Sequence, residues 1–361
     1  MRICAPWIRS AGFDSLLVIA PAWLVGCAVL LLPNTFRAGS VVSPLLWLVL
    51  VVGFDVAHVY STLYRTYLDK RERRAHGALL YVTPLACWLA AMILYSIGPA
   101  LFWTVLAYVA VFHFVRQQYG LMMLYGTPEE RQCIRTRLCD TAMVGAATLY
   151  PLIYWHTHLP RSAAWFIEGD FVPLPALIDP LAAGVYAIVA FCYLGNIVRR
   201  VTGGAAVNIP RHALIVGTAL SWYVGIVGVD SDLAFTFSNV LAHAIPYFAL
   251  IWVYGENRDA LEKNRAPLFT LRWLPALILL LVALAFIEEG LWDGFIWREH
   301  LQFFGSFARL PILSQQVQVF VVPLLVLPQL THYVLDGFIW RLRHEPEWRH
   351  TLLLKRQMVI A

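Results

Sequence analysis

The sequence predicts an all-α protein, a polytopic integral membrane helical bundle of about ten transmembrane helices with both termini cytoplasmic. Three observations predict it: ten apolar runs of spanning length, an uneven distribution of Lys and Arg between alternate connections, and four histidines set inside the apolar runs. The chain is 60% hydrophobic and 14% charged, with a mean hydropathy of +0.66, far too apolar for a soluble domain of 361 residues.

The runs cover 14–33, 41–67, 77–97, 99–125, 138–155, 181–198, 213–227, 233–254, 273–287 and 317–340. About 20 apolar residues in helical conformation cross a hydrocarbon core of roughly 30 Å. Pro44, Pro84, Pro99, Pro180, Pro275 and Pro323 mark starts or kinks, because proline lacks the N–H that a helix interior needs. The first run lacks a small-residue cleavage site and is expected to stay as a span. Nothing separates the runs into blocks, so residues 1–361 read as a single transmembrane domain.

The connections then fix orientation. One set carries Arg2, Arg9, Lys70, Arg71, Arg73, Arg74, Arg131, Arg135, Arg137, Arg199, Arg200, Arg211, Arg258, Lys263, Arg265, Arg272 and the five basic residues from Arg341 onward. The other set has only Arg37, Arg161, Arg298 and Arg309. By the positive-inside rule the rich set is cytoplasmic. The net charge of +5 is therefore accounted for by orientation, and no nucleic-acid partner is implied. Cys4, Cys27, Cys87, Cys133, Cys139 and Cys192 have no metal-site spacing and imply no disulfide framework. The chain has no dinucleotide fingerprint, Walker loop or nucleophile elbow to support nucleotide or serine chemistry.

His58, His113, His243 and His332 lie in the second, fourth, eighth and tenth runs, which all cross in the same direction. Counting back from the cytoplasmic end of each run puts all four about 13 to 18 Å from the inner boundary, near mid-membrane. Each has a polar neighbour three or four residues away, on the same helical face: Asp55, Gln117, Asn239 and Asp336 respectively. A metal-bound imidazole gives its other N–H to such a group. A lone intramembrane histidine ordinarily makes an interhelical hydrogen bond worth about 0.6 kcal/mol. Four at one depth point instead to a metal or cofactor, with iron, zinc, copper or haem iron suited to neutral imidazole.

Asp55, Asp336 and Arg116 are the charged candidates for a catalytic role, and Arg116 is expected to pair with one of the two aspartates. Arg65 is expected to snorkel to the headgroups. Segments 155–180 and 288–314 read as outward loops with an interfacial aromatic belt, His156 and His158 being solvated.

Residues 331–341 (THYVLDGFIWR) resemble the last helix of the bacterial and archaeal membrane β-carotene 15,15'-dioxygenase family, in which a histidine precedes an aspartate and an aromatic run ending in arginine. Residues 111–114 (VFHF) are similar to its second histidine helix, and His58 and His243 take the first and third places in chain order. Val56-Ala57-His58 stands where the family has a Pro-His-Gly start, and Pro246-Tyr247 where it has another histidine. The resemblance implies a non-haem iron held by histidines, O₂-dependent cleavage of a carotenoid, and a bacterial-type inner (plasma) membrane.

The function expected is thus a membrane oxidoreductase of dioxygenase type, with non-haem iron on His58, His113, His243 and His332. Its substrate would be a lipid, isoprenoid or carotenoid dissolved in the bilayer. The alternatives are a zinc-dependent membrane hydrolase, a haem electron-transfer protein, and a transporter or proton relay built on a buried polar layer.

Overall fold

The computed structural model describes residues 3–262, 267–340 and 350–353. Arg2, Lys263, Arg265 and the basic residues from Arg341 onward, which carry part of the expected charge asymmetry, lie outside the described residues. Helix accounts for 77% of the structure. The strands among the described residues are Ile3–Cys4 and Val207–Asn208, paired in parallel. The all-α expectation holds.

All ten apolar runs are helical. In order they form α1 (Ala11–Leu31), α2 (Pro44–Arg65), α3 (Lys70–Ile97), α4 (Pro99–Leu124), α5 (Ile134–Thr157), α6 (Ile178–Thr202), α7 (Ile209–Trp222), α8 (Asp232–Leu261) and α9 (Leu274–Trp297). The last run is a pair, α10 (Gln315–Leu325) and α11 (Leu327–Ile339), bent by 40°. Seven helices among the described residues are long and apolar enough to cross a membrane, or eight if the bent pair is one span. The shortfall from ten is α5 and α7: α5 carries Arg135, Arg137 and Asp140, and α7 is 14 residues long before it passes into a π turn at Tyr223–Gly228.

Local chemistry sets the helix ends. Ser43 caps the start of α2 by accepting from the Leu46 N–H, and Pro44 follows where its missing donor costs nothing. Asp69 caps α3 through the Arg71 and Glu72 N–H groups. Gly98 and Pro99 separate α3 from α4, and Gly204, at φ +77°, follows the end of α6 in a conformation that favours glycine. Inside α2, residues Leu48–Val56 form a π-helix. Such widened turns are frequent at functional sites, and this one ends two residues before His58.

Packing groups the chain into two compact units. The first contains Met1–Val42, Val111–Ala249 and Leu353–Ala361. There α5 packs on α6 and α7, and α7 packs on α1. Val29, Phe36, Val224, Leu233 and Ala234 form a buried cluster. Trp155 packs edge-on to Phe171 and Phe235. The second unit contains Ser43–Ala110 and Leu250–Leu352, with α3 against α10 and α11, and α2 against α9 and α11.

Three expectations are corrected. Helix α5 continues through His156, which is buried and stacked on Phe171 at 4.6 Å, so only His158 of that pair is exposed. Helix α9 continues through Glu288 and Glu289 to a π turn at Asp293–Trp297, so these acids are helical and Glu288 is buried. Arg65 does not reach outward: it is fully buried, ion-paired with Glu72 at the start of α3, its guanidinium 4.3 Å from the Tyr254 ring.

Candidate metal centre

The site is built from two pairs of imidazoles. In the second unit, His58 on α2 and His332 on α11 are 2% and 1% exposed, and their rings meet edge to face with centroids 5.0 Å apart at 83°. Thr62, one turn after His58, places its Oγ1 2.7 Å from His332 Nδ1. The carboxylates expected to do this stand further off, Asp336 Oδ1 at 3.8 Å from His332 Nδ1 and Asp55 Oδ1 at 3.7 Å from His58 Nδ1. Both exceed direct hydrogen-bond length, so they act on the rings through charge.

In the first unit, His113 on α4 and His243 on α8 are also buried, with ring centroids 5.1 Å apart at 80°. Phe114 lies flat on His243, with centroids 3.7 Å apart and planes within 9°. Pro246, three residues after His243, stands inside the continuous helix α8 and has no N–H to give the Ala242 carbonyl. Gln117 donates from Nε2 to the His243 carbonyl oxygen at 2.9 Å. Gln117 therefore holds backbone next to a ring, whereas it was expected to hold the His113 ring itself. Asn239 donates to the Phe235 carbonyl at 3.1 Å and to Ser238 Oγ at 3.4 Å, which ties it to its own helix.

His58, His113, His243 and His332 together form a buried group in which one ligand nitrogen from each lies within 4.8 Å of the others. Imidazole nitrogens held about 2.1 Å from an ion lie about 3.4 Å apart in a tetrahedral shell and about 4.2 Å apart across an octahedral one, so a 4.8 Å group is slightly wider than a bound ion would hold it. The donors are all neutral nitrogen. That suits iron, zinc or copper and disfavours magnesium and calcium, which take oxygen ligands.

Arg116 is exposed, with its guanidinium 5.6 Å from the Phe112 ring on its own helix. It was expected to pair with Asp55 or Asp336. Two features were not anticipated. Thr62 was missed because a helical threonine usually satisfies its hydroxyl on its own backbone and carries no signal, although its i,i+4 spacing from His58 was open to view. The other is Tyr60, which donates to Glu288 Oε2 at 2.6 Å and anchors α2 to α9. Glu288 had been read as the start of a loop because the apolar run stops at Ile287.

No family model matches the chain, and neither a curated protein nor a solved structure matches it.

Proposed function

We propose that this chain is a ten-span protein of a bacterial-type inner membrane, with cytoplasmic termini, that holds a non-haem iron on His58, His113, His243 and His332. It uses the iron to oxygenate an apolar substrate dissolved in the bilayer, an isoprenoid or carotenoid being the class that the resemblance of 331–341 implies. The observation that carries the reading is the gathering of four buried imidazole nitrogens within 4.8 Å. Bound iron would supply the site at which O₂ is taken up.

The residues of the chain do the rest. Four imidazoles complete a tetrahedral shell on zinc and leave it no open position, whereas iron's larger coordination number leaves room for a further ligand. This favours the oxygenase over the zinc hydrolase. A haem is disfavoured because, with two of the imidazoles axial, the nitrogens of the other two would fall inside the macrocycle. Four neutral ligands leave the ion's charge uncompensated in a low dielectric, and Asp55 and Asp336, each under 4 Å from a ligand ring, offset part of it. A proton relay strings its polar groups along a path, and here the four are gathered at one point.

Purified protein is expected to contain one iron per chain and no Soret band, and His58→Ala is expected to lose the metal. It is also expected to consume O₂ only when a carotenoid or related isoprenoid is added. Protein that turns over without metal, or a His58→Ala variant with full metal content, would overturn the reading.

A further inference from the structure

The orientation of a metal-binding imidazole is decided at the nitrogen that does not bind the metal. We propose that Thr62 is a positioning residue for His332, its hydroxyl oxygen accepting the Nδ1–H so that Nε2 is left bare for the metal; this rests on the metal reading above.

The 2.7 Å contact between Thr62 Oγ1 and His332 Nδ1 admits two arrangements. If the hydroxyl donates, Nδ1 is bare, Nε2 keeps its proton, and the ring offers no lone pair to an ion. If Nδ1–H donates, Nε2 is free to ligate. Only the second arrangement is compatible with His332 as a ligand. It also leaves the hydroxyl proton to a backbone carbonyl, the usual partner of a helical threonine. Both residues are buried, at 5% and 1% exposure, so water does not compete for the contact.

The placement of Thr62 supports the role. It is one turn beyond His58 on α2, so the helix that supplies one ligand also fixes a second ligand on α11. Its own carbonyl accepts from Thr66 Oγ1 at 2.7 Å, which holds the backbone that carries it. Asp336, the acid on the same helix as His332, is at 3.8 Å and beyond hydrogen-bond range. A neutral acceptor fixes the tautomer without pulling the Nδ1 proton away.

The test uses the full-length, metal-free protein in lipid nanodiscs, titrated with Co²⁺ against a chelator, with the visible spectrum recorded for wild type, Thr62→Val, Thr62→Ser, Thr62→Ala and Asp336→Asn. Thr62→Val is expected to weaken Co²⁺ binding roughly 10- to 100-fold, the usual cost of losing a group behind a ligand, and to change the ligand-field bands. Thr62→Ser is expected to restore both, and Asp336→Asn, which removes a compensating charge but not the hydrogen bond, to weaken binding while leaving the bands in place. Thermal unfolding of each metal-free variant is measured in parallel; if Thr62→Val does not fold, Thr62→Ala takes its place. Wild-type affinity and bands in a folded variant lacking the hydroxyl would overturn the proposal, as would loss of the bands in Asp336→Asn alone. Wild-type protein that binds no Co²⁺ overturns the metal reading itself, and the role of Thr62 with it, before any variant is compared.

Discussion

A guanidinium at the end of a membrane helix escapes the cost of burial either by stretching to the headgroups or by finding a carboxylate. Arg65 does the second, with Glu72 as partner, the Ile339 carbonyl at 3.5 Å and Tyr254 beneath its plane. Breaking one side of such a buried pair strands a charge and costs about 3–5 kcal/mol, whereas replacing both sides with apolar groups is often neutral. Glu72→Ala is therefore expected to lower the thermal midpoint sharply and Arg65→Leu/Glu72→Leu to restore much of it, as followed by detergent-phase melting. The sequence could not show this pairing, because Glu72 sits in a basic cluster that reads as a solvated turn. The four histidines were legible for the opposite reason: an imidazole in an apolar run has no bland surroundings to hide in, and their shared depth follows from simple counting. Arg116 shows where counting fails, since depth along a helix says nothing about which way a side chain faces.

At the scale of elements, the short helix Pro128–Gln132 after α4 is opened by a capping box between Thr127 and Glu130. Glu130 Oε1 also accepts from Arg200 at the end of α6 at 3.0 Å, and its Oε2 from Asn208 before α7 at 2.7 Å. Burial alone would raise this carboxyl, but the Thr127 amide, Asn208, Arg211 and Arg200 outweigh it and hold it below its ordinary value of 4.5. An acid depressed in the folded state stabilises the fold above its unfolded pKa, and that contribution is lost as pH falls through the folded value. The wild type is thus expected to melt above Glu130→Gln at neutral pH and to converge with it as the pH drops below about 4.5, in a series of melts from pH 7 to 3. The caps and breaks were readable in advance from Ser, Thr, Asp, Gly and Pro at the run boundaries. The π-helix at Leu48–Val56 was not, because its apolar composition is that of any membrane helix.

At the scale of the whole molecule, α5 is the helix whose place the apolar pattern alone does not secure. Asp140 in α5 is paired with Arg211 of α7 at 2.7 Å, each side chain 1% exposed. Without that partner α5 carries an unpaired acid, whose insertion costs about 2.5–3.5 kcal/mol at a helix centre and less at a position such as Asp140 near the helix start. A chain truncated after α6 is expected to leave α5 outside the bilayer in a glycosylation-reporter assay. Extension beyond Arg211 is expected to bring it in, and Asp140→Leu to make the extension unnecessary. The two residues are 71 positions apart. At a synthesis rate of about 5–20 residues per second, Asp140 waits roughly 4 to 14 s for its partner to be made. On the ten-span reading proposed above, the ion pair that looks like a static bolt in the finished fold is also a clock, setting the earliest moment at which α5 can settle into the membrane.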